Sequence, residues 1–322
     1  MQLRYNTHDN HFQFGWGQGQ FNFEHKHLDY WATFGRAKYF PTSFKQECNR
    51  AAYLIKENAV KPLMLFFSGG VDSEIVARAL LEVGAKFEVA IMKVKYKDNN
   101  HYNKFDTKYA YNFCSIHKLK VHEITMDVEE AMLTYIKDVA HTCSTHKFGV
   151  IMQHEMIRYF PNHHIVHGGG DIKLTSYKSI GIDRPGLCVI EGPIAVQALE
   201  VAETVGSEVS DRFFCHTPEL MLSWLLEPDI QHWIKYEKAL YSFFGDINNH
   251  GIKSFVLYKH WPEMEIRPKL NGFERIGFLN DDKKLNDEVT STFRELRSLY
   301  KDNLDKCVLI DYHSLYSMLI PK

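Results

Sequence analysis

Leu63-Met64-Leu65-Phe66-Phe67-Ser68-Gly69-Gly70-Val71-Asp72-Ser73 is the stretch that decides the fold. An apolar run enters a glycine turn, and the turn opens a helix. Ile75, Val76, Ala79, Leu80 and Val83 fall on one helical face after it, and Gly84 is a stop signal. A strand–glycine turn–helix junction aims several backbone N–H groups at one point, where the helix dipole favours an anion. Gly69 and Gly70 let the backbone approach that anion without an intervening Cβ. Ser68 and Ser73 add hydroxyl donors, and Asp72 adds a carboxylate suited to Mg²⁺ beside phosphates. No Gly-Lys-Ser/Thr follows and no G-x-G-x-x-G is present, so the loop is neither a Walker A loop nor a dinucleotide fingerprint.

Outward from this loop the pattern alternates. Strands are expected at 62–67, 87–94, 120–126 and 163–168, and helices at 72–83, 102–117, 128–140 and 150–159. Strands separated by helices imply an α/β fold, a parallel sheet with helices on both faces. Such sheets bind ligands at the carboxyl ends of their strands. Upstream, Ser43 and Gln46 read as a capping box for a helix with a Phe44, Cys48, Ala51, Ala52, Ile55 stripe. Further upstream, Phe12, Phe14 and Trp16, the Gln18-Gly19 turn, and Phe21 and Phe23 read as a β-hairpin, expected to act as a brace. Thr217-Pro218-Glu219 starts a helix, and helices are expected at 217–226, 229–244 and 284–301. The stretch 180–215 is ambiguous. The resulting organisation is a hairpin and helix at 1–57, a nucleotide domain at 58–180, and a mostly helical extension at 181–322 that completes the site.

The composition narrows the function. With 322 residues the chain supports a large core. A net charge of −2 gives no electrostatic case for nucleic acid, although a local basic patch is not excluded. There is no secretory pattern and no apolar run near membrane length, so a cytoplasmic protein without membrane attachment is expected. The six cysteines form no C-x-x-C pair, which argues against a disulfide framework or an iron–sulfur site. His141-x-Cys143-x-x-His146 reads as a helix end rather than a metal site.

Two further stretches carry chemistry. Ile165-Val166-His167 runs into Gly168-Gly169-Gly170-Asp171, a second strand end open to close ligand approach, with Asp171 as a second Mg²⁺ candidate. Arg267-Pro268-Lys269-Leu270-Asn271-Gly272-Phe273 places two cations in a turn.

The loop Ser68–Ser73 resembles the pyrophosphate-binding loop of the N-type ATP pyrophosphatases. These enzymes cleave ATP between the α- and β-phosphates, adenylate a substrate and let a nucleophile displace AMP. The Arg267-Pro268-Lys269 and Gly272-Phe273 pattern is similar to the C-terminal motif of asparagine synthetase and β-lactam synthetase domains. Asp171 and Tyr177 match that branch's acidic loop, and the resemblance spans about residues 58–275. It implies a five-stranded parallel sheet of the adenine nucleotide alpha hydrolase type. It also implies ATP and Mg²⁺ as cofactors. Ser68, Gly69, Gly70, Asp72, Ser73, Gly168, Gly169 and Gly170 would hold the nucleotide, and Asp72 and Asp171 the metal. Lys269 and Arg267 would stabilise transition-state charge.

The chain departs from that branch in two places. Gly168 stands where asparagine synthetases carry a glutamate, and Ile172 replaces the acid after the Asp. Residues 1–57 are too few for a glutaminase domain. Nitrogen is therefore expected from free ammonia, a separate protein or an amine on the substrate. The expected activity is a C–N ligase joining a small-molecule carboxylate to an amine. The alternatives are an ATP-dependent enzyme modifying a nucleobase or tRNA, and an ATP-binding protein with reduced catalysis.

Overall fold

A computed structural model describes residues 11–16, 30–96, 100–143, 148–169, 173–175, 187–190, 194–244, 250–267, 287–300 and 308–322. In chain order the elements begin with β1 (Phe12–Trp16), β2 (Tyr30–Phe34), α1 (Phe44–Asn58), β3 (Leu63–Phe66), α2 (Val71–Glu82), β4 (Phe87–Tyr96) and β5 (Asn100–His101). There follow α3 (Lys104–His117), β6 (Val121–Asp127), α4 (Val128–Leu133), α5 (Ile136–Cys143), α6 (Phe148–Arg158), β7 (His164–His167) and β8 (Lys173–Thr175). Next are β9 (Leu187–Ile190), α7 (Ile194–Thr204), β10 (Glu208–Ser210), α8 (Pro218–Leu225), α9 (Pro228–Phe244) and α10 (His250–His260). The chain closes with α11 (Asp287–Tyr300), β11 (Val308–Asp311) and α12 (Tyr312–Leu319).

The main sheet has five parallel strands in the order β10-β7-β3-β4-β6, with β5 added antiparallel at the end of β4. This is the expected α/β sheet. Its centre is dry: every residue of β3 and β7 is buried. Continuous apolar runs suit strands covered on both faces. The fifth strand, β10, lies beyond residue 180, within the stretch whose pattern was ambiguous. Three residues of strand are too short to show a period, which is why the sequence left it unread. A second, three-stranded antiparallel sheet, β11-β9-β8, was also not anticipated. The helix expected at 128–140 is two helices, α4 and α5, broken at Thr134 and Tyr135.

Local signals explain the helices around the site. The Ser43 side chain accepts from the Gln46 N–H at 3.2 Å, so α1 starts at the predicted cap, and its Phe44–Ile55 stripe is buried. Fully burying side chains of the Phe44 or Ile55 type stabilises by about 1.5–3 kcal/mol each. Thr217 caps α8 through the Leu220 N–H at 3.1 Å, and every α8 residue is buried. Gly84 ends the α2 region at φ +64°, a conformation glycine adopts without a Cβ penalty.

Phe44 meets Trp224 at 5.2 Å and Trp261 at 6.3 Å, binding α1 to the C-terminal half in one aromatic cluster. In the N-terminal pair, Phe12 is buried and stacks on Phe34 at 4.9 Å. His11 reaches the Cys215 carbonyl at 2.5 Å, and the Ala37 N–H donates to the Leu319 carbonyl at 2.8 Å. The strand that pairs with Phe12–Trp16 is Tyr30–Phe34; Phe21 and Phe23 lie outside the described residues.

Candidate active site

The loop after β3 has the form the sequence demands. Gly69 sits at φ +86°, and a Cβ there would lie 1.9 Å from the Asp106 carbonyl oxygen. Only glycine fits. The Gly70 N–H donates to Ser68 Oγ at 3.2 Å, and Ser73 Oγ donates to the Gly70 carbonyl at 3.0 Å. Gly70 is the N-cap of α2 and has no side chain to satisfy the first-turn N–H groups. A helix start without a side-chain cap is the kind of terminus that suits an anion.

The end of β7 meets this loop. A Cβ on Gly168 would fall 2.9 Å from the Ser73 nitrogen and 3.0 Å from the Asp72 carbonyl carbon. The backbone of β7 thus runs too close to α2 to take a side chain at Gly168 without a shift. Gly169 is equally confined by the Asp211 carbonyl oxygen at 2.9 Å. Gly170, Asp171 and Lys269 lie outside the described residues.

Arg267 takes a position the sequence did not anticipate. It was expected, with Lys269, to stabilise transition-state charge. Its guanidinium instead donates to the Gly69 carbonyl at 2.6 Å and pairs with the Glu74 carboxylate, and it stacks on Tyr109 at 4.5 Å. At 8% exposure it is buried behind the loop. Glu74 is shared with Arg78, whose Nη2 lies 2.7 Å from Oε1. Paired charges are how a buried carboxylate and guanidinium avoid a large desolvation penalty. Arg267 is therefore a strut under the glycine turn.

Lys253, on α10, was not read from the sequence. Its Nζ lies 2.7 Å from Asp72 Oδ2. A lone lysine on an amphipathic helix carries no pattern that distinguishes it, so only the packing of α10 on α2 reveals it.

Between loop and sheet lies a cleft of about 330 Å³, within the range of small-molecule sites. Ser68, Gly70, Asp72 and Ser73 form one wall. Register sets the floor: Phe66 pairs with Ala90 on β4 and with His167 on β7, so these three side chains sit abreast on one face. Phe66, Ala90, Met92 and Met156 make the floor apolar, fit for a flat base.

The β7–β10 end is polar. His167 Nδ1 is 2.6 Å from Asp211 Oδ1, and Arg212 Nε is 3.4 Å from Asp211 Oδ2. Burial alone would push the Asp211 carboxyl up; Arg212 and His167 instead hold it well below the usual carboxylate range. Neighbouring His154 is fully buried, and that burial lowers its pKa to about 3, keeping it neutral. An Asp-Arg pair set among Val209, Ser210, Phe213 and Phe214 was the one available signal for this end.

Mg²⁺ takes one or two carboxylates plus phosphate and water oxygens. Asp72 lines the cleft beside the Ser68–Ser73 loop, and its carboxylate would suit such an ion if a nucleotide were bound there. Among the described residues no group of three or more metal-ligating side chains exists. Among the described residues no helix is long and apolar enough to cross a membrane.

No protein-family model and no curated protein matches the chain. Solved structures give similarities at low scores. An ammonia-dependent NAD synthetase from Campylobacter jejuni aligns over 70% of this chain and 97% of its own, at 13% identity and TM-score 0.31. A U34-tRNA thiolase from Methanococcus maripaludis aligns over 80% of each chain, at 11% identity and TM-score 0.31. An NMN synthetase from Francisella tularensis covers 79% of this chain and 92% of its own, at 13% identity and TM-score 0.28. With scores near 0.3, the functional reading rests on the loop and the cleft.

Proposed function

We propose that this chain is an ATP-dependent ligase. It adenylates a small-molecule carboxylate with release of pyrophosphate, and an amine or ammonia then displaces AMP. The observation that supports this best is the Ser68–Ser73 loop. Its uncapped helix start and confined glycines form a seat for a polyphosphate, with Asp72 and Lys253 beside it. A seat that receives pyrophosphate favours cleavage at the α-phosphate, because the leaving group stays bound where its charge is met.

In this reading Ser68, Gly69, Gly70 and Ser73 orient the β- and γ-phosphates. The apolar floor at Ala90 and Met92 takes the adenine. Asp72, with Asp171, holds Mg²⁺, which when bound neutralises phosphate charge. Gly168 and Gly169 let the end of β7 lie close against α2 and the Asp211 backbone, and Gly170 keeps the nucleotide-binding role that its motif implies. Lys269 keeps the role that its motif implies, a cation over the departing pyrophosphate. Arg267 acts by fixing the loop. The match of Asp171 and Lys269 to the asparagine synthetase and β-lactam synthetase branch favours amide formation as the second step.

The test is pyrophosphate and AMP release from ATP and Mg²⁺ with a panel of amino acids and other small carboxylic acids, using ammonium or hydroxylamine as nucleophile. AMP formed in equal amount to pyrophosphate supports the reading. Formation of ADP overturns it. A rise in melting temperature with ATP but no pyrophosphate with any acid identifies an ATP-binding protein without this catalysis.

A further inference from the structure

His167 is 2% exposed, yet it lines the cleft, and its Nε2 has no hydrogen-bond partner within the protein. Its other nitrogen is committed. Asp211 is buried and ionised, so the short contact from His167 Nδ1 requires the proton on Nδ1, donated to Asp211 Oδ1. Gln153 Nε2 also lies 3.2 Å from Nδ1, and because the proton of Nδ1 goes to the ionised Asp211 this longer contact is not a hydrogen bond. The tautomer is thereby set, and the lone pair of Nε2 is left unshared. A buried nitrogen with an unshared pair carries a desolvation penalty in a fold with no use for it. The other groups facing His167 are Arg212, beyond Asp211, and His154 on α6, which is held neutral by burial. Arg212 keeps Asp211 ionised, and Asp211 in turn orients the ring.

Resting on the ligase reading above, we infer that His167 is the general base of the second step and takes the proton from the attacking amine. The nitrogen lone pair forms the new C–N bond at the acyl carbon, and the N–H proton passes to His167 Nε2. The C–O bond to AMP breaks, and its electrons leave on the AMP phosphate. Asp211 stabilises the imidazolium that forms. The nucleophile this site accepts is then an amine or ammonia that arrives with a proton to lose.

The experiment uses the full chain with ATP, Mg²⁺ and the acid that gives pyrophosphate in the panel, comparing ammonium with hydroxylamine. Hydroxylamine is a strong nucleophile and largely neutral near pH 7, so it depends little on a base. The His167→Gln variant is expected to lose about 10²-fold or more in amide formation from ammonium. Its hydroxamate formation should fall far less, and its remaining ammonium reaction should follow only the availability of free ammonia. A merely structural histidine would lower both nucleophiles equally, and that result overturns the inference.

Two controls separate the failures. If the wild-type chain releases no pyrophosphate with any acid, the ligase reading fails and takes this inference with it. If His167→Gln does not fold, ¹⁵N-histidine spectra of the wild-type chain decide. A protonated Nδ1 and bare Nε2 at His167, perturbed on adding AMP, support the assignment. A protonated Nε2, or a ring indifferent to AMP, overturns it.

Discussion

Replacing Arg267 by Met keeps much of the side-chain volume and removes the guanidinium from beneath the glycine turn. The Gly69 carbonyl then loses its donor at 2.6 Å, and Glu74, 3% exposed, loses one of its two cations. Breaking a buried ion pair from one side costs about 3–5 kcal/mol. Arg78 still holds Glu74 at 2.7 Å, which places the loss near the lower end, about 3 kcal/mol. For a chain of this size that corresponds to a fall in Tm of roughly 6 °C, at about 2 °C per kcal/mol. The assay is thermal and urea unfolding of Arg267→Met, Glu74→Gln and the double variant. A coupling of about 1–3 kcal/mol between the two is expected. ATP binding should weaken alongside, because Gly69 is no longer fixed. A loss below about 1 kcal/mol with no coupling, together with abolished turnover, would refute the strut and return Arg267 to the phosphates.

Other expectations follow from the same geometry. Gly69→Ala should destabilise by at least about 2 kcal/mol and abolish ATP binding, because φ +86° and the Asp106 carbonyl both oppose a Cβ; calorimetry that finds normal ATP binding would contradict the loop geometry. Lys253→Met should weaken Mg²⁺-free ATP binding by about tenfold, the scale of one charge-assisted hydrogen bond, and unchanged affinity in titration calorimetry would remove Lys253 from the phosphate site. Glu155 has its pKa raised by burial from 4.5 to about 7, with Arg158 partly opposing. Its folded form holds a proton that the unfolded form has lost, so its contribution is full below about pH 4.5 and disappears as pH rises to about 7. Glu155→Gln should flatten that part of the stability–pH curve and raise stability at pH 8, as read by urea midpoints.

The sequence by itself determined the strand–loop–helix unit at 63–82. An apolar run, two glycines and a 3.6-residue stripe are local signals, and local physics obeys them. The capping box at Ser43 and the Thr217-Pro218 start were legible for the same reason. The short strand β10 and the sheet β8–β9–β11 were not legible, because strands of three or four residues are defined by their partners rather than by a period. The site divided in the same way. The Ser68–Ser73 loop could be read because it is one continuous stretch. The close packing at Gly168 could not, since it depends on how near β7 passes to α2. Arg267 was visible as a motif, but its side chain points to Gly69 and Glu74, a choice made by the packing of distant segments. Lys253 and the His167–Asp211 pair come from elements 44 or more residues apart in each case. Only the closing of the sheet, which sets β10 beside β7 and α10 over α2, brings their charges into one cleft.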